Sequence, residues 1–91
     1  MVKKVSKPKA SKVKAVVKIN GRTYEAKGNT ALEAIENLKP DERRGIGILN
    51  IIRDGVPMRD KILNRFKTNR LFNSAGLTRQ IAVKQASQLF E

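Results

Sequence analysis

The chain has 91 residues, 40% of them hydrophobic, which is enough for one core in one small domain and too little for a second. Twenty Lys and Arg against eight Asp and Glu give a formal charge of +12, an imbalance that bears on partners rather than on fold and points to polyanions. With no Cys and no His, disulfides, zinc-finger spacings, thiol nucleophiles and His-based triads are excluded, so catalysis is not expected.

Residues 1–12 read as a basic arm. Lys3, Lys4, Lys7, Lys9 and Lys12 stand among Ser, Ala, Val and Pro8 with no acidic residue. No helical or strand period runs through them, and mutual repulsion favours an extended, disordered segment. The arm lacks the continuous apolar run of a signal peptide. The longest apolar stretch, residues 46–52, is interrupted by Gly47 and Asn50 and is too short for a bilayer. The expectation is an intracellular protein, in the cytoplasm of a host cell or in a virion, with no membrane partner.

A single α+β domain is expected over residues 13–91. Val13, Ala15, Val17 and Ile19 alternate with Lys14, Val16 and Lys18 and run into Asn20-Gly21. That is a strand entering a two-residue type I′ turn, whose register sets Ile19 against Arg22, Val17 against Tyr24 and Ala15 against Ala26. Lys14, Val16, Lys18, Thr23, Glu25 and Lys27 then share the outer face. Thr30-Ala31-Leu32-Glu33 is a capping box. It opens a helix with a stripe of Leu32, Ile35 and Leu38 flanked by Ala31 and Ala34, stopped near Lys39 by Pro40.

Residues 46–52 read as a central strand apolar on both faces, with Gly47 marking a bulge or a close approach. Asp54-Gly55 signals a second hairpin, returning antiparallel from Val56 to about Leu63, with Pro57 confining that strand to an edge. Residues 64–73 are ambiguous. Leu63, Phe66 and Leu71 suit one helical face, Arg65, Lys67 and Arg70 suit an exposed edge, and the reading favoured is a strand end followed by an irregular loop. Ser74 or Thr78 caps a last helix to about Phe90, with Leu77, Ile81 and Leu89 on one face, Ala82, Ala86 and Phe90 on the next, and Gln80, Lys84 and Ser87 as its polar stripe. The order is ββαββα, a small antiparallel sheet with two helices packed on one face.

The segment from Val16 through Asn20-Gly21 and Thr30 to Leu38 resembles the hairpin-then-helix of many small proteins of phages and mobile elements. It is also similar to the sheet-plus-helix DNA-binding domains at the front of some integrases. The resemblance covers about a quarter of the chain, implies a ββα unit and carries no functional residue with it.

Function is sought first in the basic groups. Lys3, Lys4, Lys7, Lys9, Lys12, Lys14, Lys18, Arg22 and Lys27 are the candidate contacts to a nucleic acid, with DNA the expected form, through phosphates rather than bases. The alternatives are a solubilising tail or nuclear localisation signal for the arm, and a merely solvated sheet face for the hairpin. Tyr24 falls on the core face, so no stacking platform for single-stranded RNA is expected. Arg79, Gln80 and Lys84 could form a recognition helix, but no preceding helix is evident for a helix-turn-helix, and core packing is the favoured role. Asp41, Glu42, Asp54 and Asp60 each have a turn or ion-pair explanation, so no catalytic residue, metal, cofactor or small-molecule substrate is expected. A second class is a phage or viral structural or assembly protein, or a small protein that binds a host factor. Its arm would order on neighbouring subunits or on a partner, and Leu77, Ala82, Ala86, Leu89 and Phe90 would form a self-association or docking surface.

Overall fold

The structure is a computed structural model that describes residues 12–41 and 44–90; Lys3, Lys4, Lys7 and Lys9 of the arm lie outside the described residues. Strands β1 (Val13–Ile19) and β2 (Arg22–Gly28) form the first hairpin, followed by helix α1 (Ala31–Glu36). Strand β3 (Gly47–Arg53) then pairs with β4 (Val56–Pro57) and β5 (Lys61–Leu63), and the chain ends in α2 (Arg65–Phe72) and α3 (Gly76–Gln88). The sheet is antiparallel, in the order β2-β1-β3-β4, with β5 also on β3. This is the expected α+β fold, with three helices among the described residues rather than two and an order of ββαβββαα.

Both hairpin turns follow from their sequences. Asn20 and Gly21 take φ of +52° and +82°, and Asp54 and Gly55 take +51° and +82°, the paired positive values that a type I′ turn requires. The first turn fixes the expected register, with Val17 opposite Tyr24 and Lys14 opposite Lys27. Replacing Gly21 with Val forces a β-branched residue into the left-handed region, and a loss of about 1–3 kcal/mol is expected in a thermal melt.

On one sheet face Val13, Ala15, Val17 and Ile19 of β1 join Leu49 and Ile51 of β3 in the core, under Ala31, Ala34, Ile35 and Leu38. The helix α1 is set by its cap: the Thr30 hydroxyl accepts from the Glu33 amide at 3.1 Å, and the Glu33 carboxylate accepts from the Asn29 amide at 3.1 Å. Loss of that cap in Thr30→Ala should cost about 1 kcal/mol, read as a lower midpoint in urea. Gly28 lets the helix sit directly on β2, because a Cβ there would lie 2.6 Å from the Ala34 amide nitrogen. Helix α1 is shorter than expected, with Asn37 as its C-cap, and Leu32 of the expected stripe is exposed while Ile35 and Leu38 are buried.

Three further expectations are corrected. The strand after the first helix begins at Gly47, and it is buried on one face only, since Ile48 is exposed and Ile52 half-buried on the other. The return strand is split at residues 58–60, where the Met58 amide donates to the Ile51 carbonyl and the Asn50 side-chain amide donates to the Asp60 carboxylate. Pro57 does lie on an edge, as its missing donor requires. Residues 65–72 are helical because Asn64 caps them, its side-chain oxygen accepting from the Lys67 amide at 2.9 Å. The buried side of α2 is Thr68, Leu71 and Phe72, with Phe66 exposed. The Thr68 hydroxyl is satisfied by the Leu63 carbonyl at 3.3 Å.

Helix α3 starts at Gly76 after Ala75, which supplies no side-chain cap, so neither Ser74 nor Thr78 opens it. Its buried residues are Val83, Ala86 and Ser87, and the Ser87 hydroxyl turns back onto the Lys84 carbonyl. Ser87 is thus removed from the polar stripe.

Candidate nucleic-acid interface

Helix α1 packs on the sheet face that carries the core, and α2 and α3 lie on the same side, α3 against α1 and α2; among the described residues no helix covers the opposite face. Along it the register lines up Lys27, Lys14, Ile52 and Pro57 in one row, then Glu25, Val16 and Asn50, then Thr23, Lys18, Ile48 and Ile62. The face therefore mixes lysines with an apolar strip, in which Ile62 is 71% exposed. Lys14 and Lys18, four residues apart on one strand, are spaced by about 13 Å, and Lys27 stands about 5 Å from Lys14 across the pair.

Two like charges directly opposite destabilise a strand pair. Here the repulsion is relieved diagonally, by Glu25, whose carboxylate lies 3.3 Å from the Lys14 ammonium. Both groups are partly solvent-exposed, so the pair contributes well under about 1 kcal/mol and does not lock Lys14 away. Lys12 is exposed just before β1. Arg22 is the exception among the folded candidates. It pairs with Ile19 and so belongs to the helix-bearing face, at the exposed end of β2, apart from Lys14, Lys18 and Lys27.

A second basic feature was not legible in the sequence. Where the first turn, the loop before β3 and the start of α2 meet, Asn20, Arg44, Gly45, Arg65 and Asn69 line an open basin of about 580 Å³. The Asn20 side chain donates to the Arg44 carbonyl at 2.9 Å and so pins that loop to the turn. The Asn64 cap sets Arg65 in the first turn of α2, with Asn69 one turn further along the same side. Two arginines beside one concavity are the residue type that receives an oxyanion by charge-assisted hydrogen bonds. The basin lies at the same end of the sheet as Lys18. Asn64 was the one local signal for α2, and hence for Arg65; the convergence of Arg65 with Arg44 is a tertiary fact.

Of the candidate recognition residues on α3, Gln80 and Lys84 are exposed. A preceding helix does exist, and α2 and α3 are joined by residues 73–75. Arg79, however, is turned inward. Its Nε donates to the Leu71 carbonyl at 3.0 Å, and one terminal nitrogen donates to the carbonyls of Glu36 at 3.1 Å and Leu38 at 3.3 Å. The proposed docking set also splits. Ala86 and Phe90 are buried in the core and Ala82 is half-buried against it, while Leu77 and Leu89 are exposed. The five residues do not form one surface. The cause is helical phase: Val83 is the residue that α3 drives into the core, and that rotation carries Ala86 inward and Leu77 outward.

Among the described residues no helix is long and apolar enough to cross a membrane. No family model, curated protein or solved structure matches the chain.

Proposed function

We propose that this protein binds nucleic acid through the phosphate backbone without reading base sequence. The observation that carries the reading is the sheet face that no helix covers among the described residues, where Lys14, Lys18 and Lys27 stand with Glu25 as the one acidic side chain of the pairing rows. On this face of a chain of net charge +12, three lysines stand against Glu25, which pairs with Lys14, and Asp60, which is bonded to Asn50. The basin of Arg44 and Arg65 extends that surface around the end of the sheet, and the lysines of residues 1–12 add a basic segment adjoining β1. Base reading is disfavoured by the side chains available: Tyr24 is half-buried against the core, and the guanidinium of Arg79 is bonded to three backbone carbonyls.

Each phosphate contact releases condensed counterions, so the logarithm of affinity for duplex DNA should fall by about 0.9 per contact with the logarithm of salt concentration. Neutralising Lys14, Lys18 and Lys27 together to Gln should flatten that slope by about two to three, and should do so equally on unrelated sequences. The measurement is fluorescence anisotropy on generic duplex DNA and RNA across a salt series. An affinity that does not change between low and physiological ionic strength, or a slope untouched by the triple substitution and by removal of residues 1–11, overturns the proposal.

A further inference from the structure

A different part of the molecule carries a second kind of recognition. Helices α2 and α3 leave a groove of about 310 Å³ between them, lined by Leu63, Leu71 and Ala86 at its floor and Phe66, Ala82 and Leu89 on its walls, with Lys67, Arg70 and Gln85 at the margin. The floor is buried, but Phe66 is 66% and Leu89 45% exposed. Two large apolar side chains flanking one apolar channel mark a binding surface rather than scattered exposure. The Arg70 guanidinium lies 5.4 Å from the centre of the Phe66 ring, which holds the ring at the channel's edge.

We infer that this groove receives an acidic amphipathic helix of a protein partner. The walls are the helices α2 and α3, whose backbone groups are bonded internally, and strand β5 contributes only the Leu63 side chain to the floor. A segment that enters it must satisfy its own backbone, which a helix does, and anchor by apolar residues at helical spacing. The sign of the partner's charge follows from the groove's surroundings. The charged side chains that line it are Lys67 and Arg70, and no acidic residue is among its lining. A second copy of this chain would bring the same positive surface to the groove, and the lysine-rich segment 1–12 would do likewise; both are disfavoured by like-charge contact. A nucleic-acid backbone meets the charge but has nothing to place in an apolar channel.

The probe is a synthetic peptide of about five helical turns with Leu in a single stripe and Glu on the remaining surface. It is compared with a scrambled peptide of the same composition and with a version carrying Lys in place of Glu. The full-length protein is titrated with each peptide and followed by amide chemical shifts. The striped acidic peptide should bind at least about tenfold more tightly than either control, with the shifts centred on Phe66, Leu71, Ala82 and Leu89. Phe66→Ser and Leu89→Ser remove exposed groups, so both should keep the parent melting temperature and duplex-DNA affinity while weakening the peptide by about tenfold. Equal binding of the striped and scrambled acidic peptides, or shifts centred on Lys14, Lys18 and Lys27, would show charge attraction alone and overturn the inference. So would sedimentation showing that the protein associates with itself and that Phe66→Ser abolishes it. Loss of DNA binding in Phe66→Ser at an unchanged melting temperature would assign the groove to nucleic acid instead.

Discussion

Phe90→Glu should leave the protein largely unfolded at room temperature. Phe90 follows α3, is 3% exposed and belongs to the same core as Leu63, Leu71, Phe72 and Val83. Removing a buried Phe side chain costs about 3–5 kcal/mol through lost burial and the cavity left behind, and a carboxylate in its place adds the cost of desolvating a charge. A chain of this size has a total stability of about 5–14 kcal/mol, so the loss takes most or all of it. Phe90→Leu, which keeps an apolar group in the site, should lose about 1–2 kcal/mol. Urea titrations followed by circular dichroism give both values. A Phe90→Glu protein that folds with the parent midpoint would place Phe90 outside the core and restore it to the surface suggested by sequence periodicity.

Arg79→Met should cost about 2–4 kcal/mol without altering the salt dependence of DNA binding. One guanidinium closes the C-terminal ends of two helices, through Leu71 of α2 and through Glu36 and Leu38 at the end of α1. These carbonyls have no further partner within their helices, and the cation also meets the negative ends of both helix dipoles. Hydrogen bonds to a charged group contribute about 1.5–3 kcal/mol each when little solvent competes; Arg79 is only half-buried, so solvent screening places the total below their simple sum. Lysine cannot replace it fully, because an ammonium lacks the planar fork that reaches two elements at once. If Arg79→Met keeps its midpoint and loses DNA affinity, the side chain contacts nucleic acid and the inward bonds are incidental.

The parts of the fold that sequence reasoning recovered are those written locally. Asn20-Gly21 and Asp54-Gly55 specify their turns through two adjacent residues, and Thr30 with Glu33 specifies a helix start through four. The register of the first hairpin follows from its turn, and with it the side of the sheet on which Lys14, Lys18 and Lys27 stand. Phase and convergence were not local. The apolar residues of α3 span so wide an arc that periodicity could not select Val83 over Leu77 as the buried position. In α2 the misleading feature was Phe66, an aromatic that faces solvent, while a threonine, Thr68, faces the core because Leu63 offers it a carbonyl. Arg44 and Arg65 meet only because Asn20 holds one loop and Asn64 starts one helix.

The position of β1 has a consequence for motion. It is hydrogen-bonded along its whole length to β2 on one side and to β3 on the other, so its amides have no route to solvent through fraying of an edge. They should be among the slowest in the molecule to exchange with deuterium, at rates set by global unfolding, whereas β4 and residues 58–60 exchange through local opening. Lys14 and Lys18 project from that strand. Their separation is therefore held as long as the protein is folded, and a polyanion laid across them meets a ruler of fixed length instead of a surface that reshapes to fit.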